Sequence, residues 1–408
     1  MTGSGLITSS GLMAGVKPVR VALIGIHGHG RVHLAGLLER DRAGTLELCG
    51  LADRLAPTGA DAEELSGCPF DTDATRLLRT VRPDVAVIAT PIHTHAQIAE
   101  AALDVGAHLL LEKPPVTGLD AHDRLAALAD AAGRHCQVGF QAFGSSVVRE
   151  LLDRVGRGGL GRVEGNGAVE GVGTIEGISV VGGWRRDEAY YARSAWAGHR
   201  RLGEIVVADG AMTNPFAHGI ALALRLADPS GTRPIRSARF EPFHAYPIET
   251  DDTAGAHIEL DGAAPVTVAV TLCAEREFEP YVQVRGTEGR ATVWYTEDRL
   301  LLEPRNGESV EVKGGRVELI DDLVACLDTD PAGDALLSPL RATRSFTAVL
   351  EAIQDGPQAA PIPRRFLRVG AGSRTIPGIE DAVVEAGARG LLLSELGRLP
   401  WTNRSEPN

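Results

Sequence analysis

The chain has 408 residues, 44% of them hydrophobic and 23% charged, with a formal net charge of −13. This length exceeds one ordinary hydrophobic core and predicts about two or three domains. The acidic balance excludes nonspecific binding to nucleic acid or to an anionic membrane surface, because both need a basic face. No run of about eighteen or more apolar residues occurs, so no membrane span is predicted.

The cysteines and the N-terminus indicate the compartment. Five widely spaced cysteines without a C-x-x-C pair suggest neither a disulfide framework nor a zinc cluster, and no metal is predicted. A reducing, cytoplasmic location fits best. Residues 1–17 are rich in Gly, Ser and Thr and lack a basic segment followed by a long apolar one, so they are predicted to be a disordered tail and not a signal peptide.

Residues 18–140 alternate between strand and helix patterns with short connections. This order predicts a parallel sheet wrapped by helices, a Rossmann-like α/β domain. The predicted strands are 19–24, 46–53, 83–91, 107–112 and 136–140, and the clearest predicted helices are 34–40, 94–105 and 120–132.

Residues 141–376 have a different sequence pattern and are predicted to form an α+β domain. Alternating polar and apolar runs predict antiparallel strands at 253–260, 266–272, 281–285 and 290–295. The stretch 305–375 has no clear pattern. The C-terminal segment 377–408 contains an apolar run at 390–398, which predicts a last helix that docks on the body of the protein.

A glycine-rich turn, Gly25-Ile-His-Gly-His-Gly30, follows the first strand and opens a helix. This is the context of a dinucleotide-binding fingerprint, in which the pyrophosphate sits at a helix N-terminus. His27 stands where the fingerprint has glycine, but a shift of one residue would let Gly28 make the close approach. A strand-to-helix turn without a ligand is the alternative.

Asp53 ends the second strand, 23 positions after Gly30. That spacing is near the one expected for the acid that accepts hydrogen bonds from the cofactor ribose. A carboxylate repels a 2′-phosphate and therefore favours NAD over NADP, although the adjacent Arg54 leaves room for NADP. A helix cap or a solvated turn is the alternative for Asp53.

Lysine is rare in this chain, which makes the lysine of Glu112-Lys113-Pro114 informative. The chain contains only Lys17, Lys113 and Lys313, and arginine supplies the rest of its 41 basic residues. An ammonium can be desolvated and can pass a proton, whereas a guanidinium stays protonated. Lys113 is therefore predicted to be catalytic, and an ordinary surface lysine at a strand end is the alternative.

The succession of motifs resembles the Gfo/Idh/MocA oxidoreductases, named for glucose–fructose oxidoreductase and inositol dehydrogenase. The resemblance rests on Gly25–His33, Ala89-Thr-Pro-Ile-His-Thr-His95 and Glu112-Lys-Pro114, with Trp196-Ala-Gly198, Asp251-Asp-Thr253 and Arg285–Gly289 in family-like order. It implies a Rossmann domain and a C-terminal α+β domain with a large, mostly antiparallel open sheet. In many members that sheet is the oligomer interface, so a homodimer or homotetramer is expected.

The resemblance also implies the catalytic residues. Family members pair the lysine with an Asp-x-x-x-His motif on a helix, and the matching positions here are Asn214 and His218. His218 would remove the hydroxyl proton and Lys113 would polarise the oxygen. Asn214 can position a hydroxyl but cannot carry a proton. A packed histidine is the alternative for His218.

The remaining expected contacts fall into two groups. Those expected at the cofactor are Gly25, His27, Gly28, His29, Gly30, Arg31, Asp53, Arg54, Thr90, Pro91, His95, Glu112, Lys113 and Gln141. Those expected at the substrate are Tyr190, Tyr191, Trp196, His199 and Asn214. His95 has the alternative of a buried histidine that satisfies backbone groups, and the aromatic residues have that of ordinary packing.

Together these features predict an NAD-dependent oxidoreductase that acts on a secondary alcohol of a sugar, glycoside or cyclic polyol. One alternative keeps bound NAD but uses transient oxidation to break a glycosidic bond by elimination. Another is a noncatalytic sensor of NAD or sugar, against which the retention of Lys113 and His218 speaks.

Overall fold

The structure is a computed structural model that describes residues 17–156, 172–207, 209–327, 329–330 and 335–403. The predicted disordered tail, apart from Lys17, lies outside these residues.

The first sheet has six parallel strands, as predicted for an α/β domain. The strands are β1 (Val19–Ile24), β2 (Leu46–Ala52), β3 (Phe70–Asp71), β4 (Val85–Ile88), β5 (His108–Leu111) and β6 (Cys136–Val138). Their order is β3-β2-β1-β4-β5-β6. The helices between them are α1 (Gly30–Arg42), α2 (Ala60–Glu64), α3 (Ala74–Val81), α4 (His95–Asp104) and α5 (Leu119–Ala132). Every residue of β4 is buried, because helices cover both faces of the sheet.

The second half contains a nine-stranded sheet, in the order β16-β15-β14-β13-β7-β12-β11-β10-β17, and two small two-stranded sheets. The strands are β7 (Ile175–Arg185), β8 (Arg201–Leu202), β9 (Ile205–Val206), β10 (Ile235–His244), β11 (Thr253–Leu260), β12 (Val266–Thr271), β13 (Cys273–Gly286), β14 (Gly289–Trp294), β15 (Arg299–Pro304), β16 (Val310–Lys313), β17 (Ala360–Pro361), β18 (Arg368–Val369) and β19 (Arg374–Thr375). Most neighbours in the large sheet are antiparallel, as predicted, but β12 pairs with β7, and β10 with β17, in parallel.

Helices and short turns complete the second half. The helices are α6 (Ser146–Gly156), α7 (Glu188–Tyr191), α8 (Ala217–Ala227), α9 (Leu319–Cys326), α10 (Arg344–Asp355) and α11 (Ile379–Arg389). Short 3-10 turns occur along the whole chain, at Ile92–Thr94, Gln141–Gly144, Leu340–Thr343, Arg364–Phe366, Ser394–Leu396 and Pro400–Thr402.

The prediction of a last helix at 390–398 was wrong in position. The helix is α11, which ends where Gly390 adopts a left-handed conformation with φ of +68°. Beyond it, the apolar run contains only the 3-10 turn Ser394–Leu396. The helix still docks on the body of the protein: a Cβ atom at Gly387 would lie 2.2 Å from Cγ2 of Val181 on β7. Glycine at 387 therefore permits the close approach of helix and sheet.

The stretch that had no clear sequence pattern joins the two halves. Leu319, Ile320 and Leu323 of α9 are buried in the same cluster as residues of β1 and α1. Gln137 on β6 donates hydrogen bonds to the Leu319 carbonyl (3.0 Å) and to Asp322 (2.7 Å). Helix α9 thus covers the first sheet, although it follows eight of the nine strands of the large second sheet in sequence.

Among the helices that the structure describes, none combines the length and the apolar character needed to cross a membrane.

Candidate active site

The glycine turn after β1 is shaped by two close backbone approaches. Gly25 has φ of +91°, and a Cβ atom there would lie 2.6 Å from the Ala89 carbonyl oxygen at the end of β4. A Cβ atom at Gly30 would lie 2.0 Å from the Gly25 carbonyl oxygen. Any side chain at either position would collide with backbone, so the tight strand-to-helix turn requires both glycines.

The imperfect position in the fingerprint, His27, is followed by a glycine with open space around it. Gly28 has φ of +58°, and no heavy atom of the described residues lies within 4 Å of a Cβ atom built there. The His27 ring faces Asp53, with Nδ1 3.0 Å from Oδ2. The backbone at Gly28 therefore remains open to a ligand, which fits the approach of a pyrophosphate to the start of α1.

Asp53 holds the glycine turn. Its Oδ2 accepts hydrogen bonds from the amides of Ile26 (2.9 Å) and His27 (3.3 Å), and its Oδ1 accepts one from the amide of Leu55 (3.3 Å). Burial raises the pKa of Asp53, but the hydrogen bonds from His27 and these amides outweigh it and keep the pKa below its ordinary value. The carboxylate therefore stays ionised at neutral pH.

Glu112 is a buried carboxylate with fixed partners. Its Oε1 lies 2.7 Å from Nε2 of His33, and its Oε2 accepts a hydrogen bond from the Lys113 amide at 3.1 Å. A Cβ atom at Gly139 would lie 2.8 Å from Oε1, so glycine there leaves room for the carboxylate. Burial raises the pKa of Glu112, but hydrogen bonds from His29 and His33 bring it well below its ordinary value.

Lys113 reaches across to the second domain. Its Nζ donates hydrogen bonds to the Asn214 side-chain oxygen (2.6 Å) and to the Asn214 carbonyl (3.3 Å). The Asn214 amide nitrogen donates to Oδ1 of Asp209 at 2.6 Å. An ammonium only donates and a carboxylate only accepts, so these two neighbours fix the orientation of the amide. The predicted meeting of Lys113 and Asn214 is thus present in the structure.

Asp209 is anchored from its other side by Arg193. The Arg193 guanidinium donates to Oδ1 (2.8 Å) and Oδ2 (2.7 Å) of this buried carboxylate, and the Gly198 amide donates to Oδ2 at 3.0 Å. The guanidinium also lies over the rings of Tyr190 (3.8 Å) and Trp196 (4.8 Å). Two of the predicted substrate residues therefore border the same network as Lys113.

His218 lies at the start of α8, which begins at Ala217. The expectation that Asn214 and His218 lie on one helix was therefore wrong, because Asn214 lies in the turn before α8. The His218 ring packs edge-to-face on Phe140, with ring centroids 5.8 Å apart. Its Nδ1 is shielded from solvent and has no hydrogen-bond partner among the residues that the structure describes.

Lys113 and His218 are electrostatically linked. Burial, followed by the Lys113 charge, lowers the pKa of His218 to about 3. Burial also lowers the pKa of Lys113, while the carboxylates of Glu112 and Asp209 oppose that change. At neutral pH, His218 is therefore a neutral imidazole near the Lys113 amine.

Asp251 and Asp252, from the family-like Asp-Asp-Thr motif, are buried supports. Oδ2 of Asp251 accepts a hydrogen bond from the Met212 amide (3.0 Å) in the loop that carries Asp209 and Asn214. Burial raises the pKa of Asp251 to about 6. Oδ2 of Asp252 accepts hydrogen bonds from the amides of Ala245 (2.7 Å) and Tyr246 (3.0 Å).

Three predicted site residues have other roles in the structure. His95 takes its alternative role: its ring nitrogens contact the carbonyls of Thr90 (2.7 Å), Pro114 (3.1 Å) and Pro115 (3.1 Å), so it ties two loops together. The Tyr191 ring packs on Tyr246, at a centroid distance of 4.8 Å. Nδ1 of His199 lies 3.2 Å from Oε1 of Glu249 on the surface.

Of the other predicted cofactor residues, Arg54, Thr90, Pro91 and Gln141 follow the ends of parallel strands, and Arg31 lies in the first turn of α1. Thr90 accepts a hydrogen bond from the Thr94 hydroxyl (2.7 Å), and the Gln141 carbonyl accepts one from Arg316 (3.3 Å). Pro91, Arg31 and Arg54 are exposed.

Sequence reasoning missed the roles of Asp209, Arg193 and His33. Asp209 begins the stretch that ends at His218, so an acid five residues before Asn214 was an available signal. Arg193 follows the predicted aromatic pair closely, but nothing in its spacing indicates a bond to Asp209.

Comparisons with known proteins bear on the family and the fold. Residues 19–140 match the model of the oxidoreductase family with an NAD-binding Rossmann fold. Over 147 residues the chain is 31% identical to inositol 2-dehydrogenase 4 of Saccharopolyspora erythraea, covering 36% of this chain and 43% of that protein. Over 127 residues it is 28% identical to glycosyl hydrolase family 109 protein 2 of Akkermansia muciniphila, covering 29% and 27%. The matches therefore span less than half the length of these relatives.

The fold similarity extends much further along the chain. The WlbA dehydrogenase from Bordetella pertussis, solved in complex with NADH and UDP-GlcNAcA, is similar with a TM-score of 0.63 at 22% identity. The match covers 84% of this chain and 98% of that one, so both halves share its architecture. Residues 19–140 are thus similar to the NAD-binding Rossmann domain of the Gfo/Idh/MocA oxidoreductases.

Proposed function

We propose that this protein is an NAD-dependent oxidoreductase that transfers a hydride between a secondary alcohol of a sugar, glycoside or cyclic polyol and the nicotinamide ring. The observation that carries the proposal is the pairing of Lys113 with His218. Asn214 holds Lys113 close enough to His218 for the lysine charge to lower the pKa of the imidazole, and Nδ1 of His218 has no partner among the described residues. A secondary alcohol needs both groups, because it must lose a proton as it loses a hydride.

The residues divide the work as follows. Lys113 donates a hydrogen bond to the alcohol oxygen and stabilises the negative charge that develops there. His218 accepts the hydroxyl proton. Asn214 orients the lysine and a neighbouring hydroxyl, while Asp209 and Arg193 hold Asn214 in place. When bound at the glycine turn, NAD supplies the ring position that accepts the hydride.

Asn214 and Asp209 together stand in for the single carboxylate that family members often carry at the position of Asn214. Asn214 cannot carry charge, but its amide nitrogen bonds to Asp209 at 2.6 Å. The negative charge therefore lies on Asp209, and Asn214 separates it from Lys113. In this arrangement Asp209 is a positioning residue that acts through Asn214.

A panel of sugars, glycosides and cyclic polyols tests the proposal. With NAD present, the wild-type protein is expected to produce NADH steadily with at least one of them, measured by ultraviolet absorbance. The complete absence of cofactor reduction across the panel would contradict the proposal.

A second candidate function is favoured by the similarity to the family 109 glycosyl hydrolase. In this candidate reaction a transient oxidation acidifies the neighbouring C–H, the glycosidic bond breaks by elimination, water adds to the resulting double bond, and the hydride returns from NADH to the ketone. The same panel separates the two functions: net NADH supports dehydrogenation, whereas release of the leaving group without net NADH supports elimination. A sensor without catalysis would produce neither.

The preference for NAD is expected to depend on Asp53. The wild-type protein should bind NAD more tightly than NADP, and Asp53→Ala should reduce the ratio of the two affinities by roughly tenfold. The reason is that two negative charges about 4 Å apart repel by about 1–4 kcal/mol near a protein surface. Calorimetric titration with both cofactors measures the difference.

Asp53→Asn is the matched control, because it removes the charge but keeps an acceptor for the amides of Ile26 and His27. It should reduce the ratio of NAD affinity to NADP affinity as much as Asp53→Ala does. Equal or tighter binding of NADP by the wild-type protein would refute the assignment.

The proposal also includes partners and location. The nine-stranded sheet is proposed to join two or four copies of the chain, although α11 already packs on its strand β7. A cytoplasmic location suits the five cysteines, all of which are free thiols.

A further inference from the structure

Two histidines and a carboxylate meet beside the glycine turn. His29 immediately precedes α1, and His33 lies one turn further along it. Nε2 of His33 lies 2.7 Å and Nε2 of His29 3.5 Å from the same Glu112 oxygen. The three candidate ligand atoms all lie within 4.8 Å of one another.

The separations of 2.7 Å and 3.5 Å lie on either side of those found around a small tetrahedral ion. With bonds of about 2.0–2.1 Å, neighbouring ligand atoms around zinc lie about 3.3–3.4 Å apart. The His29 ring can move to reach this spacing, because its side chain is 54% exposed. Its ring already stands nearly perpendicular to that of His33, at an interplanar angle of 89°.

The carboxylate at the centre of the cluster is held in place by outer contacts. The Lys113 amide donates to its other oxygen, and the backbone at Gly139 closes against it. Such outer contacts orient a ligand before an ion binds and raise metal affinity. Two histidines and one glutamate are also a ligand set that zinc uses when it keeps one position open.

We propose that His29, His33 and Glu112 form a three-ligand site for a divalent transition-metal ion of the zinc class, with the fourth position open to solvent beside the glycine turn. The proposed metal site is independent of hydride transfer. It requires only that the fold brings His29, His33 and Glu112 together. The cysteine spacing in the sequence gave no reason to expect a metal, and Glu112 lies 79 residues from His33, so only the fold unites the ligands.

Cobalt titration of the full chain tests the site. After treatment with a chelator, the wild-type protein is expected to develop the visible absorption of tetrahedral Co²⁺ with a single equivalent, and Zn²⁺ should abolish it. His29→Asn should weaken Co²⁺ binding by at least about tenfold, because one of three ligands is lost. Since His29 is exposed, this variant should fold, and circular dichroism checks that it does.

His27→Asn is the matched control, because it alters a histidine of the same turn whose ring faces Asp53. It should bind Co²⁺ like the wild type. Absence of a cobalt spectrum in the wild-type protein, or equal Co²⁺ affinity in wild type and His29→Asn, would overturn the proposal and leave the cluster as a hydrogen-bonded pair beside a surface histidine. Neither result depends on whether the protein oxidises a sugar.

Discussion

Lys113→Arg is expected to lower turnover by at least about 100-fold, the scale of a lost proton-transfer or polarising group. The Lys113 ammonium fits against Asn214 at 2.6 Å, where a longer, planar guanidinium cannot take the same position. Arginine also remains protonated, whereas burial lowers the pKa of Lys113. NAD affinity should change little, because the Nζ contacts lie on the second domain. Steady-state kinetics and calorimetry measure the two effects separately.

Lys313→Arg provides the control for this substitution. Lys313 ends β16 and is exposed, so the same chemical change there should leave turnover unaltered. If Lys113→Arg retained wild-type turnover, the lysine would have a structural role only, and the proposed division of work would fail.

His218→Asn is expected to reduce turnover by about 100- to 10,000-fold, the contribution usual for a positioned general base. Because the pKa of His218 is lowered to about 3, the imidazole is neutral across the range of about pH 5 to 9, in which an exposed histidine would titrate. The wild-type rate should therefore show no His218 ionisation in that range, and the loss in the variant should be similar at every pH. Protonation near the low pKa would remove the acceptor, so activity falls only in strong acid.

His257→Asn is the corresponding control in β11, where Nε2 of the ring lies 3.7 Å from Oε1 of Glu259. It should keep wild-type turnover. A His218→Asn variant with unchanged rate and pH profile would identify His218 as a packing residue and would remove the proposed base.

The first domain could be predicted because each of its structural signals is local. Strands such as Val85–Ile88 are continuous apolar runs between turn residues, and a glycine turn marks the start of α1. The last helix was misplaced because an apolar run resembles a helix even where Gly390 and Gly397 adopt left-handed conformations. Helix α9 could not be placed, since its partners on β1 and α1 lie far away in sequence.

The site was predictable where a motif fixed the residues and unpredictable where only the fold joins them. Lys113 and Asn214 lie 101 residues apart, yet each belongs to a family motif, so their meeting was expected. Arg193 belongs to no such motif, and its bond to Asp209 follows from loop geometry. His95 illustrates the opposite case: its motif suggested the cofactor, but the structure surrounds its ring with backbone carbonyls.

The central claim, that a secondary alcohol of a sugar or polyol passes a hydride to bound NAD beside Lys113 and His218, is tested most directly by isotope transfer. The wild-type protein, loaded with NAD, is mixed with substrates that carry deuterium on each CH–OH carbon in turn, and the cofactor is recovered within one turnover for mass spectrometry. Deuterium from one ring position is expected in the recovered nicotinamide, whether the reaction ends as dehydrogenation or as elimination, and Lys113→Arg should abolish the transfer. Deuterium absent from the cofactor with every labelled sugar and polyol, while NAD is demonstrably bound, would contradict the proposed function.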